Sequence, residues 1–392
     1  MKFGIVSWCS MAAFAAVLAG CQSGPSAPAA TIATPTAAVD ALSLKGSDNQ
    51  PLVLIDKTAM AIPPRPSNPD ALPPEDPGHW YDIEHSGWST QKLEMPKSPG
   101  DGPKGKRVLC LRFMDHPYLT AYTNGMQKVA DAYGIKLETR GANNQTSTQA
   151  EQVDQAISER PDLVIITPVD SKAVVPLLMK LHSAGIPVIA SNLIPAEEGM
   201  KYVLTWTGPD DWGQFRMLAR EFAKKLNNDG GYCVVRHMPG SSCFLSRTYG
   251  PISELAKIAP KMKCLGMEAT ELQAEKTMQV VSAWLTRFGA QLKGIVSADD
   301  SGAMSGIAEA LKRAGRTDVV VVAAGNSGEG MNYVKSGELY AMTYQSAEAD
   351  GALPMYLAAQ WFSGKPIDKP VYFLPQKIIT RDNVDQFLPA QW

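Results

Sequence analysis

The sequence is poor in the groups that build metal and phosphate sites. Its five histidines, His79, His85, His116, His182 and His237, are scattered. There is no CxxC and no HExxH, so neither a zinc knuckle nor a metalloprotease helix is encoded. No GxxxxGK[ST] loop is present to cradle phosphates. Gly325-Asn326-Ser327-Gly328-Glu329-Gly330 is glycine-rich. It fits neither GxGxxG nor the GxSxG elbow, because Glu329 stands where the elbow needs glycine. Asp299-Asp300 are adjacent carboxylates at a strand end, and neighbours in an extended segment point to opposite sides, so they make a poor catalytic dyad. No metal, no cofactor and no enzymatic centre is expected. Basic runs are also missing: Lys+Arg is 37 against Asp+Glu 39, a net charge of −2, which argues against nucleic acid as a partner. After residue 18 no apolar run reaches transmembrane length.

What is present begins at the first residue. Lys2 precedes an apolar stretch, Phe3 to Leu18, which ends in Leu18-Ala19-Gly20-Cys21. That is the layout of a secretory signal, and Leu-Ala-Gly-Cys resembles the lipobox of bacterial lipoproteins. The resemblance implies cleavage after residue 20, lipid on Cys21, and a mature chain anchored to a membrane outside the cytoplasm. Several acyl chains hold firmly where one holds weakly, at roughly 0.8 kcal/mol per buried CH₂. The alternative is an ordinary signal peptide with a chance cysteine. Gln22 follows the lipidated position, and whether the anchor sits in an inner or an outer membrane is left open.

Residues 22 to about 104 hold 14 of the 29 prolines. A segment so rich in Ala, Pro, Ser and Thr buries too little apolar surface to offset its chain entropy, so 22–50 reads as a disordered tether. Pro63-Pro64 and Pro73-Pro74 forbid long helices farther on. Trp80, Tyr81 and Trp88 are costly to leave in water, so 75–95 is expected to lie against the folded body, with a partner-docking strip as the alternative. Of six cysteines, Cys9 leaves with the signal. Cys110, Cys233, Cys243 and Cys264 remain in the body. An exported compartment permits disulfides, and the pairing is open. Cys110 reads as an inert core residue.

From Arg107 the pattern alternates between strand and helix. Val108–Leu111, Ile135–Thr139, Leu163–Ile166, Ile186–Ile189 and Tyr202–Trp206 read as strands. Helices between them carry apolar residues at three/four spacing, such as Leu119, Tyr122, Met126, Val129 and Tyr133. The alternation restarts at Asp210, with strands expected at 231–236, 263–267, 293–297, 318–323 and 339–344. A helix near 348–363 and a strand near 371–373 follow. Short apolar strands alternating with helices mean parallel sheets covered on both faces. Two such α/β lobes side by side make a cleft at the carboxyl ends of their strands, where ligands bind.

From about Lys106 to Phe387 the chain resembles periplasmic sugar-binding proteins of the ribose/galactose type, the substrate-binding components of ABC importers. The segments that carry the resemblance are Asp115-His116-Pro117-Tyr118, Ile166 to Ser171, Ala184 to Ile189, Ser297 to Asp300, Thr343-Tyr344-Gln345 and the tail Leu374 to Asp385. The resemblance implies two doubly wound parallel-sheet lobes joined by a three-crossing hinge, the type I periplasmic-binding-protein fold, with crossings near residues 207, 345 and 372. The expected organisation is a signal in 1–20 and a lipidated, proline-rich extension in 21–104. The N-terminal lobe takes 105–207 plus 346–372, and the C-terminal lobe 208–345 plus 373–392.

The family's ligand positions fall on Arg112, His116, Tyr118, Thr167, Ser191, Asn192, Arg247, Asp299, Asn326 and Gln345. Leu272 replaces an aromatic, and Ser191-Asn192 replaces the Asp-Arg pair of ribose-type members. Trp206 either stacks on a ligand at the hinge or fills the lobe boundary. Arg112 and His116 admit an anionic sugar derivative, because Arg grips carboxylates and phosphates bidentately; Arg112 paired to a nearby aspartate is the structural alternative. The resemblance implies a lipid-anchored, monomeric binder that captures a sugar or similar small polar molecule by hinge closure and delivers it to ABC permease subunits. A ligand-sensing module for a membrane receptor is the second reading.

Overall fold

The computed structural model describes residues 40–57 and 61–392. The signal, Cys21 and the tether up to residue 39 lie outside the described residues. A short helix, α1 (Tyr81–Glu84), precedes the first sheet. That sheet is built from β1 (Arg107–Arg112), α2 (Pro117–Tyr133), β2 (Lys136–Gly141), α3 (Thr146–Glu159), β3 (Leu163–Ile166), α4 (Val175–Ser183), β4 (Val188–Ser191), α5 (Glu197–Met200) and β5 (Thr205–Gly208). The second runs through α6 (Asp211–Lys225), β6 (Asp229–Arg236), α7 (Ser242–Ile258), β7 (Lys261–Ala269), α8 (Ala274–Phe288), β8 (Leu292–Ser297), α9 (Gly302–Arg313), β9 (Val320–Ala323), α10 (Gly328–Ser336) and β10 (Ala341–Thr343). The chain closes with α11 (Ala347–Phe362), β11 (Val371–Phe373) and β12 (Ile378–Thr380).

The sheet orders are β11-β5-β4-β3-β1-β2 and β12-β10-β9-β8-β6-β7. β3 is buried at every position, as a strand covered by helices on both faces must be. Each sheet reverses direction beside its first strand, which opens a crevice at the carboxyl ends there. The chain passes between the lobes three times: from β5 into α6, from β10 into α11, and from β11 into β12. α11 packs on α2 of the first lobe without room for a side chain between them. A Cβ on Gly125 would lie 1.9 Å from the Glu348 carbonyl oxygen, and one on Gly351 1.8 Å from that of Tyr122.

Three details differ from the sequence reading. The strand expected at 202–206 is shifted to Thr205–Gly208. β12 was not foreseen, and it runs antiparallel to β10. Gly208 and Phe373, both assigned to the C-terminal lobe, instead pair with each other in the first sheet.

The extension also departs from the tether reading. Residues 40–50 are folded: Ala41 is buried in the first-lobe core beside Leu52, and Asp48 Oδ2 accepts from the Tyr344 hydroxyl at 2.8 Å. Farther on, Trp80 stacks on Tyr249 with centroids 4.3 Å apart, and Glu84 forms a bidentate ion pair with Arg216 of α6. The chain then moves to the first lobe, where Lys92 Nζ donates to the carbonyls of Val203 at 2.8 Å and Leu204 at 2.6 Å. Segment 75–95 thus lies across both lobes.

Cys110, Cys233, Cys243 and Cys264 are free thiols. Burial pushes the Cys110 thiol up to about 12, so it is inert as a nucleophile. Among the described residues no helix is long and apolar enough to cross a membrane.

Candidate functional site

A cavity of about 90 Å³ lies between the lobes. It is lined from the first sheet by Phe113, Met114, His116, Tyr118 and Leu119 after β1, and by Asn192 and Leu193 after β4. From the second come His237 and Met238 after β6, Cys243 and Arg247 on α7, Leu272 after β7, Asp299 after β8, Ala324 and Gly325 after β9, and Gln345 after β10. Trp392 completes the wall. Nearly every contributor follows the carboxyl end of a strand, which is where the doubly wound topology leaves loops free to meet.

His116 caps α2: its Nδ1 accepts from the Tyr118 N–H at 3.2 Å. That bond places the proton of the neutral ring on Nε2. Burial pushes the His116 pKa down, against the pull of Asp299. His237 is lowered further, by burial first and then by the Arg247 charge. Both rings are therefore neutral hydrogen-bonding groups near neutral pH.

Arg247 is buried and already engaged. Its Nε donates to Asp211 Oδ1 at 2.9 Å, Nη1 to the Ala298 carbonyl at 2.7 Å, and Nη2 to Gln345 Oε1 at 3.3 Å. Gln345 in turn donates to the Tyr118 hydroxyl at 3.2 Å, and Tyr118 donates to Asp350 Oδ2 at 2.8 Å. Asn192, held at φ 62°, donates to the same oxygen at 2.6 Å. Its side-chain carbonyl remains as an acceptor. Asp299 holds the Ser301 hydroxyl at 3.0 Å and caps the turn into α9 through the Ala303 N–H at 3.1 Å.

His116, Tyr118, Asn192, Arg247, Asp299 and Gln345 are thus brought together. Arg112, Thr167, Ser191, Trp206 and Asn326 stand outside the lining. Arg112 pairs with Asp115 at 3.0 Å, so its charge is satisfied away from the cavity. Thr167 Oγ1 accepts from the Phe113 N–H at 2.9 Å, and Ser191 Oγ accepts from the Thr207 hydroxyl at 3.0 Å. Trp206 fills the first-lobe core and donates to the Leu193 carbonyl at 3.1 Å. Asn326 Oδ1 accepts from the Gln345 N–H at 3.3 Å. Several of these hold the backbone of a lining residue in place. His237, Met238 and Trp392 were missed. The first two follow a strand end, and that position was the available signal; Trp392 has no periodicity to reveal it.

The two lobes touch across the cleft. Ser171 N–H donates to the Gly240 carbonyl at 3.1 Å, and Ile194 N–H to Ser242 Oγ at 3.1 Å. Residues 108–366 match the model of the periplasmic binding protein domain. The chain belongs to the periplasmic binding protein family.

The relatives of this periplasmic binding protein are consistent with that assignment. It is 30% identical over 269 residues to the xylitol-binding protein of Mycolicibacterium smegmatis, covering 68% of this chain and 75% of that protein. It is 24% identical over 277 residues to the ribose import binding protein of Bacillus subtilis, covering 70% and 88%. A solute-binding protein of an ABC transporter from Bacillus halodurans, solved with myo-inositol, superimposes with a TM-score of 0.67 at 23% identity, over 73% of this chain and 98% of that one. That likeness shows the fold: two α/β lobes of the type I periplasmic binding protein.

Proposed function

We propose that this periplasmic binding protein captures one small, neutral, polyhydroxylated molecule, a sugar or a polyol, between its lobes and delivers it to an ABC importer. The observation that carries the reading is the composition of the cavity wall. It offers the neutral His116 Nε2–H, the Asn192 carbonyl and the Asp299 carboxylate as hydroxyl partners, among apolar groups that suit C–H faces. The names of the relatives, which include a xylitol-binding and a ribose import binding protein, point the same way. Among the described residues the one cation in the wall, Arg247, is already neutralised by Asp211 at 2.9 Å, and Arg112 is paired with Asp115. An anionic ligand therefore finds no free positive partner among the described residues of the wall, and the sugar-acid alternative loses its support.

The geometry supports capture by hinge closure. A ligand touching His116 and Asn192 on one lobe and Asp299 on the other makes its full set of contacts only when the lobes meet, and only such differential contacts shift the equilibrium toward the closed form. A lipid on Cys21 would hold the binder at the membrane face where the permease lies.

Thermal unfolding of the full chain with xylitol, D-ribose, myo-inositol and D-gluconate tests the reading. A ligand at a hundredfold excess over Kd adds about 2.7 kcal/mol. Stabilisation by one of the neutral compounds and none by gluconate is expected. Stabilisation by gluconate alone, or by none, overturns it.

A further inference from the structure

Trp392 stands in the cavity wall, far in sequence from every strand-end loop. Its anchoring explains how it gets there. Leu388 and Ala390 pack on the second-lobe core. Gln391 Oε1 accepts from the Glu348 N–H at 3.0 Å, and Gln391 Nε2 donates to Ser346 Oγ at 3.0 Å, both at the start of α11. The Trp392 carbonyl accepts from the Gly328 N–H at 2.8 Å, at the start of α10. All of this ties the segment to the second lobe and the hinge.

The indole, however, reaches the first lobe. Its centroid lies 5.7 Å from the His116 ring at 62° and 5.4 Å from the Tyr118 ring at 83°, both edge-to-face. Its Nε1 is buried and has no hydrogen-bond partner among the described residues. A buried N–H is costly unless it is bonded, and the side chain that carries this one lines the cavity. Tyr118 cannot take its place, since its hydroxyl is occupied by Asp350 and Gln345.

We propose that Trp392 is a ligand-contacting residue that sets specificity for polyhydroxylated molecules. Its N–H donates to a ligand hydroxyl, and its ring supplies an aromatic wall on the side where Leu272 stands in place of an aromatic residue. The inference rests on the binding reading above. Because the residue is carried by one lobe and meets the other, its contacts are complete only in the closed form, so it couples ligand recognition to closure.

Calorimetric titration of the full chain with xylitol, D-ribose and myo-inositol decides it, using the wild type, Trp392→Phe and Trp392→Ala. Phenylalanine keeps a ring and removes the donor, so a purely packing role would leave its affinity unchanged. The expected result is a loss of roughly three- to tenfold for Trp392→Phe, the scale of one hydrogen bond, and a larger loss for Trp392→Ala, with the ligand-free melting temperature of Trp392→Phe not lowered. Affinity within about twofold of wild type for both variants, on the same scale, overturns the inference and leaves the binding reading standing. A loss confined to Trp392→Ala overturns the donor role. No binding of any probe by the wild type overturns the binding reading, and this inference with it.

Discussion

The Tyr118 hydroxyl donates to Asp350 Oδ2 at 2.8 Å, and that bond joins the first turn of α2 to α11, the helix that returns from the other lobe. Asn192 Nδ2 donates to the same oxygen at 2.6 Å. The floor of the cavity is therefore a buried polar network centred on one carboxyl group, flanked by the Arg247–Asp211 pair.

Burial raises the Asp350 pKa from 3.8 to about 7, although the bonds from Asn192 and Tyr118 pull it down. The folded chain holds this proton where the unfolded chain has lost it. The associated stability is complete below pH 3.8 and lost as pH rises toward about 7. Asp350→Asn removes that dependence. Urea midpoints between about pH 4.5 and 7.5 should fall less steeply for the variant than for the wild type. Some slope remains, because burial also raises Asp210, to about 6. Equal slopes in the two proteins would contradict the assignment.

Arg247→Met should destabilise by about 3–5 kcal/mol, since it leaves Asp211 as a buried charge without its partner. The double change Arg247→Met with Asp211→Asn should recover part of that loss. Denaturant midpoints of the two single variants and the double complete the cycle, and strict additivity would show that the pair is not coupled.

Gly125→Ala and Gly351→Ala should each destabilise by about 1–3 kcal/mol or more, through clashes between α2 and α11. In an exposed helix the same change stabilises by roughly 0.5–1 kcal/mol. The sign of the measured change therefore tests the close approach directly.

Trp80→Ala should loosen the extension from the second lobe. Loss of the stacked pair with Tyr249 costs about 0.5–1.5 kcal/mol beyond the lost area. Limited proteolysis between residues 61 and 84 should quicken. Unchanged cleavage would mean that the bidentate Glu84–Arg216 pair alone holds the segment.

The regular part of this protein was legible because it is written in short-range patterns. Leu163–Ile166 declares a buried strand by an unbroken apolar run, and Leu119, Tyr122, Met126 and Val129 declare a helix by their spacing. The same patterns, repeated twice, established two α/β lobes and a cleft at the strand ends. β12 escaped because it joins its sheet only by an antiparallel pairing with β10, a long-range contact that the strand–helix alternation does not announce. Residues 40–50 escaped because Ala41 docks as a small residue in a pocket that only the folded first lobe provides, and composition sees only the prolines and alanines around it.

The site divides along the same line. His116, Tyr118, Asn192, Arg247, Asp299 and Gln345 were reachable in the sequence because they follow strand ends or match a family position. Whether a side chain at such a position faces the cavity is a tertiary matter. Arg112 turns to Asp115, Trp206 turns into the core, and Trp392 arrives from a segment with no pattern at all. Periodicity reports which residues of one element share a face, a local property of the backbone. Which faces of distant elements meet depends on packing and charge pairing between segments hundreds of residues apart, and that was decided only when the two lobes and their extensions came together.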